Sequence, residues 1–302
     1  MSSNHSHSHT PTNENGDTSS KRIAWVFFLN FAFTVIEFIG GWLTNSTAIM
    51  SDAVHDLGDT LSIGSAWILN KLGKKKATDD FSYGFRRLSL YGAMINSLVL
   101  IGGSAFVLSE AIPRLFDPVM PDATGMLGLA ILGVTVNGFA AYRLSAGQSL
   151  NEKVLNWHLL EDVLGWVGVL IVSIVLMFAE LPILDPLLSI AFTLFILVNV
   201  SRNFWTTLKL FAQSTPDATL GKNIGSALKD IEGINNVHHL HLWSLDGENH
   251  VLTAHLTLKE ALDSSAQMQL KEHINTALEH FHLQHTTIEL EWPDEICRDG
   301  SM

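Results

Sequence analysis

The chain has 302 residues, of which 47% are hydrophobic and 16% are charged, and its mean hydropathy is +0.24. This composition is typical of an integral membrane protein with an attached polar domain. The formal net charge of -12 leaves no basic face that could neutralise phosphates, so we expect no nucleic-acid partner. The single cysteine, Cys297, excludes an internal disulfide and a thiolate metal cluster, which favours a reducing compartment for the polar domain.

The first segment of the chain, residues 1–20, is mostly Ser, Asn, Thr and His and lacks the apolar core of a cleavable signal peptide. Such a composition predicts a disordered tail. Its histidines His5, His7 and His9 either bind metal weakly or are incidental to a flexible segment. The sequence supports these two interpretations equally.

Six apolar segments follow the tail, each long enough to cross about 30 Å of hydrocarbon. They span residues 23–43, 48–69, 88–111, 125–144, 155–178 and 181–204. We therefore predict an all-α transmembrane domain of six helices over residues 21–208. Several segments contain Asn, Glu or His, which lowers their hydropathy. The prediction of six spans therefore also rests on the charges of the connecting segments.

Lys and Arg residues lie on alternate sides of the predicted bundle. They precede the first segment, occupy the connection between the second and third segments, flank the fourth connection and follow the sixth segment. The first, third and fifth connections offer only Arg114. The positive-inside rule therefore places both termini in the cytoplasm, and an even number of spans requires both termini on one side.

Residues 209–302 change to a charged, alternating pattern and are predicted to form a cytoplasmic domain. The predicted elements are a helix over 218–231, strands over 236–244 and 249–258, a helix over 264–281 and a strand over 285–292. Gly233 is suited to end the first helix, and an Asp-Gly turn over 245–248 joins the first two strands. The order αββαβ predicts a three-stranded sheet covered on one side by two helices.

Two pairs of ionisable residues lie inside the apolar segments. His55 and Asp59 are four residues apart in the second segment, and His158 and Asp162 are four residues apart in the fifth. On a helix this spacing places both side chains on one face, where they can hold a common ion. One pair alone could equally hydrogen-bond a neighbouring helix, at about 1 kcal/mol per contact. Each Asp at the bilayer centre costs about 2.5 to 3.5 kcal/mol, so two such pairs favour a bound cation.

Two imidazoles and two carboxylates match the requirements of a divalent cation, because the occupied site is electrically neutral and four ligands suit tetrahedral zinc. Asp56 and Glu161 point about 100° away from the pairs around their helices, whereas Asp52 lies nearer the ligand face. Four other polar residues of these segments have two interpretations: they support the ligands or line a water cavity, or they are contacts between helices. The second interpretation is favoured for the asparagines. The four residues are Glu37, Asn30, Asn96 and Asn137.

Six motifs carry a family resemblance that covers almost the whole chain after Lys21. In chain order they are STAIMSDAVHDLGD, YGFRRLS, HLLEDVLGWVGV, DPLLSI, VHHLHLWSLDGENHVLTAHL and HTTIELEW. With these motifs the chain resembles the cation diffusion facilitators, a family of dimeric, proton-coupled exporters of divalent metals. The resemblance implies six spans, a ferredoxin-like cytoplasmic domain that helps to form a homodimer, and a transport site of His55, Asp59, His158 and Asp162. We expect the protein in a bacterial inner (plasma) membrane.

The resemblance also bears on the identity of the metal. In this family, His rather than Asp at the position of His55 is associated with zinc over cadmium, so Zn²⁺ is the expected transported ion. Imidazole also binds Co²⁺, Fe²⁺ and Ni²⁺, and selectivity depends on geometry. The sequence therefore leaves these ions and Cd²⁺ open.

The resemblance also concerns two further metal sites of the family, one in a loop and one in the cytoplasmic domain. Some members have metal-binding histidines in the loop between the second and third spans, where this chain has Phe81 and Phe85, so that site is expected to be absent. Family comparison favours His238, His255 and His285 as a secondary cytoplasmic zinc site.

Strand alternation supports only part of this secondary site. It places His255 and His285 on the face opposite their apolar neighbours, but His238 shares the parity of Leu240 and Leu242. A family histidine on the second helix corresponds to Gln267, which argues against a two-metal cluster. Surface and interface histidines are the alternative interpretation.

These features predict a zinc/proton antiporter that works by alternating access and is not an enzyme. One alternative is a membrane sensor that binds metal without transporting it. The other is a membrane metallohydrolase, in which zinc activates water. The hydrolase is disfavoured because the chain lacks His-Glu-x-x-His and because four protein ligands leave no position for water.

Overall fold

A computed structural model of the chain describes residues 14–73, 75, 77–145, 150–281 and 283–299. These residues form two compact units. The first unit contains the described residues up to Gly64 together with Asn96–Ser201, and the second contains Ser65–Ile95 and the described residues from Arg202 onwards.

Seven helices occupy the first two thirds of the described chain. They are α1 (Glu14–Thr44), α2 (Thr47–Gly73), α3 (Leu88–Ala111), the short α4 (Pro113–Phe116), α5 (Ala123–Ser145), α6 (Leu150–Phe178) and α7 (Leu184–Phe211). The six long helices correspond to the six predicted segments, and a helix over the central part of each is confirmed.

The helix ends differ from the predicted ends, most of all in α1. This helix begins at Glu14, so it includes the last residues of the predicted tail, 1–20. Hydropathy marks only the part of a helix that lies in hydrocarbon, and it does not register polar turns that extend beyond the membrane. The first 13 residues, with His5, His7 and His9, lie outside the described residues.

Within the described residues, five helical stretches are long and apolar enough to cross a membrane. They are Phe27–Thr44, Leu88–Phe116, Ala123–Arg143, His158–Phe178 and Leu184–Phe211. Helix α2 is equally long, but Asp52, Asp56 and Asp59 lie within it. Its passage through the membrane therefore stays a prediction, while the chain as a whole is a multi-pass integral membrane protein.

The first unit is built around a core of α1, α2, α5 and α6. Phe33, Ile49, Met126 and Trp166 are at most 2% exposed and belong to one apolar cluster that these helices share. A second cluster joins α2 to α3 and α7. The outward faces of the helices present large apolar side chains that are more than half exposed, as expected for contact with lipid: Phe28, Phe106, Leu164 and Phe195.

The second unit contains the predicted polar domain. Its elements are α8 (Ala218–Lys229), β1 (Ile234–Ser244), β2 (His250–Leu258), α9 (Ser264–Leu278), a single 3₁₀ turn (Glu279–Phe281) and β3 (Leu283–Glu291). Strand β2 is central, antiparallel to β1 and parallel to β3. The predicted order αββαβ is confirmed. Helix α8 ends at Lys229 with Asp230 as its C-cap, so Gly233 does not end the helix as predicted; its positive φ lies in the turn before β1, and that of Gly247 lies in the predicted β1–β2 turn.

Helices α8 and α9 pack on one face of this sheet. Ile224 of α8, Ile274 of α9 and Leu256 of β2 are at most 3% exposed and share one core. The pairing of β1 with β2 shifts between His238 and His241, where His239 has a φ of 46°. This bulge changes the parity of β1, because an extra residue reverses the alternation of side chains.

Candidate metal centre

Helices α2 and α6 bring the four predicted ligands together. The spacing of four within each pair stacks the imidazole and the carboxylate one helical turn apart. His158 Nε2 lies 2.8 Å from Asp59 Oδ2, so the pairs meet across the two helices. His55 Nε2 lies 3.6 Å from Asp59 Oδ2 and 3.8 Å from Asp162 Oδ1, and His158 Nε2 lies 3.8 Å from Asp162 Oδ2.

One ligand atom each of His55, Asp59 and His158 lies within 4.8 Å of the others, as a group that could hold a metal ion requires, while Asp162 approaches His55 and His158 through different oxygens. Ligand atoms about 2.0 Å from zinc are separated by about 3.3 Å from one another. The contacts between the pairs bracket this value. Among the described residues, His158 Nε2, Asp59 Oδ2 and Asp162 Oδ1 are buried and meet no hydrogen-bond partner in acceptable geometry. Buried ligand atoms without hydrogen bonds are costly unless a cation satisfies them.

The four side chains differ in exposure. The Asp162 side chain is only 2% exposed, whereas those of His55, Asp59 and His158 retain 29%, 21% and 24%. Asp162 is therefore the most enclosed of the four side chains.

A second group of carboxyls is buried beside this site. Glu37 of α1 and Asp52 and Asp56 of α2 are 0%, 6% and 1% exposed. Their burial was not predicted, since the sequence indicates helical phase but not which faces neighbouring helices cover. Glu161 is exposed, which agrees with its predicted direction away from the ligand face.

The helix-contact interpretation is confirmed for two of the intramembrane asparagines. Asn30 Nδ2 donates to Thr60 Oγ1 at 3.4 Å, which joins α1 to α2. Asn96 Nδ2 donates to Ser62 Oγ at 2.6 Å, which joins α3 to α2. These amides therefore hold neighbouring helices to the helix that carries His55 and Asp59.

A second possible metal group lies on the sheet face that α8 and α9 leave uncovered. Ligand atoms of His238, His255, Glu291 and Cys297 all lie within 4.8 Å of one another. His255 Nδ1 is 2.8 Å from Glu291 Oε1, His238 Nε2 is 3.0 Å from Glu291 Oε2, and Cys297 Sγ is 3.4 Å from His255 Nδ1. Two nitrogens, one oxygen and one sulfur form a set that suits zinc.

The bulge in β1 explains how His238 joins His255. Val237 before the bulge and Leu240 after it both pack against the core, so the core-facing parity changes from odd to even. His238 consequently lies on the opposite face, in register with His255 of β2. Strand alternation alone could not predict this, because it assumes an unbroken pleat.

His285 does not join this group, contrary to the prediction. In the parallel pairing of β2 and β3, His285 lies opposite Val251, whereas His255 lies opposite Glu289. Four residues along a strand correspond to about 13 Å. The His285 ring instead contacts Tyr83, with the ring centroids 5.1 Å apart.

Phe81 and Phe85, which stand where some family members have metal-binding histidines, pack against each other with their ring centroids 4.7 Å apart.

Glu291 and Cys297 were missed by sequence reasoning. Glu291 has the same parity as Glu289 on β3, and Cys297 follows the last strand, so neither stands out in a motif. Burial alone would raise the pKa of the Glu291 carboxyl, but Cys297, His255 and His238 outweigh it and lower that pKa below its ordinary value. Burial and the Glu291 and Asp299 carboxylates raise the pKa of the Cys297 thiol.

Family comparison covers both predicted parts of the chain. Residues 23–212 match the model of the cation efflux transmembrane domain. Residues 216–292 match the model of the cytoplasmic domain of cation efflux proteins.

Several bacterial transporters are similar over nearly the full length. The cadmium, cobalt and zinc/H(+)-K(+) antiporter of Bacillus subtilis is 32% identical over 92% of this chain and 91% of its own length. Zinc transporter ZitB of Pectobacterium atrosepticum is 32% identical over 95% and 89%. The metal cation efflux system protein CzcD of Cupriavidus metallidurans is 30% identical over 96% and 90%. These relatives are transporters and not enzymes, and the chain belongs to the cation efflux, or cation diffusion facilitator, family of membrane transporters.

Proposed function

We propose that this protein exports a divalent metal cation, Zn²⁺ in the first instance, through a site formed by His55, Asp59, His158 and Asp162. The observation that carries the proposal is the convergence of two His-x-x-x-Asp pairs from α2 and α6, with contacts of 2.8 to 3.8 Å between the pairs. The names of the relatives, which include zinc, cadmium and cobalt transporters, support this class of ion.

Exchange against protons follows from the chemistry of the ligands. Imidazole and carboxylate groups must be deprotonated to bind a metal, so each ion that binds displaces protons. In alternating access, protons that enter from the opposite side compete for the same four groups and release the metal there. One relative is named as an H(+)-K(+) antiporter, so K⁺ is included as a second counter-ion in the test below.

The direction of export depends on orientation. We propose that both termini lie in the cytoplasm, which the alternating distribution of Lys and Arg supports, and that the bundle lies in a bacterial inner membrane, in keeping with its bacterial relatives. The cytoplasmic domain is proposed to help form a homodimer, in keeping with its match to the cytoplasmic domain of cation efflux proteins. Metal then enters the site from the cytoplasm and leaves to the outside.

The cytoplasmic group of His238, His255, Glu291 and Cys297 is proposed to bind a second Zn²⁺. Its support is the short contact network around Glu291, with both imidazoles within 3.0 Å of the carboxylate. Glu291 and Cys297 replace His285 in the ligand set predicted from the sequence. Since it lies outside the transmembrane helices, we assign this site to sensing of cytoplasmic metal and not to transport.

Reconstituted proteoliposomes test the transport proposal. Zn²⁺ flux is measured with a fluorescent indicator under an imposed pH gradient, an imposed K⁺ gradient, or neither. We expect flux that follows the pH gradient, and flux that ignores it would disprove proton antiport. Zinc binding without any flux would instead favour a sensor. Parallel runs with Cd²⁺, Co²⁺, Fe²⁺ and Ni²⁺ determine the selectivity.

A further inference from the structure

Asp185 is a buried carboxylate of the bundle that none of the predicted sites uses. It is the second residue of α7 and is 1% exposed. Its Oδ2 accepts hydrogen bonds from the backbone N–H of Thr47 at 2.7 Å and from the Thr47 hydroxyl at 2.8 Å. Its Oδ1 accepts from Ser46 Oγ at 2.5 Å and from the backbone N–H of Ala48 at 3.3 Å. The four donors belong to the first two residues of α2 and to Ser46, which directly precedes the helix.

These contacts complete the N-terminal cap of α2. The first N–H groups of a helix have no partner within the helix, and a side chain just before the helix normally satisfies one of them. Here Asp185 satisfies those of Thr47 and Ala48, while the N–H of Ile49 donates to Ser46 Oγ at 3.2 Å. The negative charge of Asp185 also faces the positive end of the α2 dipole.

The contact between α2 and α7 continues towards the proposed metal site. Ser189 Oγ donates to the carbonyl of Thr47 at 2.9 Å, and the hydroxyls of Thr193 and Ser51 lie 2.8 Å apart. On α2 the residues Thr47 and Ser51 are four apart, and the row continues at the same spacing through His55 and Asp59. The polar contacts and the ligands therefore follow one row along α2.

Asp185 is also tied to the other ligand helix. Helix α6, which carries His158 and Asp162, ends at Phe178, and α7 begins at Leu184 after a short connection. This connection is braced by a hydrogen bond from the N–H of Leu184 to the carbonyl of Leu181 at 3.1 Å. The cap consequently links the start of α2 to the end of α6.

We propose that Asp185 is a positioning residue for the metal site, because its carboxylate holds α2 in the register with α6 that places His55 and Asp59 opposite His158 and Asp162. A displacement by one helical turn is about 5.4 Å, which would separate the 2.8 Å contact between His158 and Asp59. The inference rests on the proposed transport site. It assigns to Asp185 neither metal binding nor proton transfer, since its oxygens are occupied by four donors.

Cobalt binding tests this role, because the absorption spectrum of Co²⁺ reports the geometry of its ligands. Full-length protein carrying His255→Ala, which removes the cytoplasmic site, is titrated with Co²⁺ in detergent. Asp185→Asn keeps the size of the side chain but removes its charge and one acceptor. We expect Co²⁺ binding to weaken about 10- to 100-fold, as for other residues that orient metal ligands, with a changed spectrum. Asp185→Glu is expected to recover part of the affinity.

Ser189→Ala is the matched control, because it removes a hydrogen bond of the same helix contact but leaves the cap intact. We expect its Co²⁺ affinity and spectrum to stay close to those of the parent. Size-exclusion chromatography and thermal unfolding establish that each variant is folded. If Asp185→Asn does not fold, Ser46→Ala replaces it, because this change removes only the bridge between Asp185 and the N–H of Ile49. A smaller loss in the same direction is then expected.

Three results would overturn the inference. The first is a folded Asp185→Asn or Ser46→Ala variant with unchanged Co²⁺ affinity and spectrum, even if its transport is lost. The second is an equal effect of Ser189→Ala. The third is an unchanged affinity with an altered proton yield, which would make Asp185 a proton carrier. Failure of the proposed function is a separate result, in which Asp59→Ala and Asp162→Ala leave Co²⁺ binding intact.

Discussion

His158 Nε2 of α6 lies 2.8 Å from Asp59 Oδ2 of α2, a contact that joins the two helices carrying the predicted ligands. Both atoms are buried and have no other hydrogen-bond partner among the described residues. The contact brings one ligand atom of each His-x-x-x-Asp pair together across α2 and α6.

The two aspartates are the first residues to test. Asp59→Ala and Asp162→Ala should each lower Zn²⁺ flux in proteoliposomes by more than about 10-fold, because each removes a charged ligand and leaves the ion with excess positive charge. Glu161→Ala is the matched control, since this exposed acid adjoins Asp162 and points away from the site. Flux at the wild-type level in either aspartate variant would remove the site assignment.

His55→Asp tests the origin of selectivity. The change replaces an imidazole by a third carboxylate, which offers more oxygen ligands and suits larger ions. We expect Cd²⁺ flux to rise relative to Zn²⁺ flux in side-by-side assays. His158→Asp serves for comparison, because it makes the same chemical change on the other helix. An unchanged Cd²⁺ to Zn²⁺ ratio in His55→Asp would contradict a selectivity role for His55.

The cytoplasmic site is tested through its sulfur ligand. Co²⁺ bound to a thiolate shows a charge-transfer band in the near ultraviolet, which imidazole and carboxylate ligands do not produce. We expect this band in the wild-type protein and its loss in Cys297→Ser. His285→Ala should leave the band unchanged, because His285 lies beside Tyr83 and not beside Cys297. Loss of the band in His285→Ala would contradict the exclusion of His285 from the site.

Two glycines of α5 test the packing of the bundle. A methyl group at Gly133 would meet the indole of Trp166, which is fully buried, whereas one at Gly128 would meet nothing within 4 Å. Gly133→Ala should therefore destabilise the protein by about 1 to 3 kcal/mol through overpacking. Gly128→Ala should be neutral or slightly stabilising, since alanine favours the helix by about 1 kcal/mol. Thermal unfolding in detergent measures both, and equal melting temperatures would contradict the packing of Trp166 against α5.

Much of the fold is encoded locally and was predictable. Apolar runs long enough for a bilayer predict the long helices, and α3 begins and ends at the predicted residues, Leu88 and Ala111. The spacing of His55 from Asp59 and of His158 from Asp162 is also local, since it depends only on helical periodicity. The two halves of the site were therefore visible in the sequence before any contact between helices was known.

The break in β1 was not predictable in the same way. A left-handed residue at His239 shifts the strand by one position, and this depends on how β1 pairs with β2. The shift decides that His238 faces His255, while the register of β3 decides that Glu291 and not His285 approaches them. Alternation along a single strand contains no information about pairing with its neighbours.

The sequence by itself determined the two ligand pairs, the class of membrane protein and the order of elements, because helical phase, hydropathy and turn residues are properties of short segments. Only the tertiary structure decided which groups meet. It placed Asp59 against His158, joined Cys297 and Glu291 to the cytoplasmic histidines, and set Asp185 on the start of α2. These contacts join residues far apart in the chain, so they depend on how whole helices and strands pack.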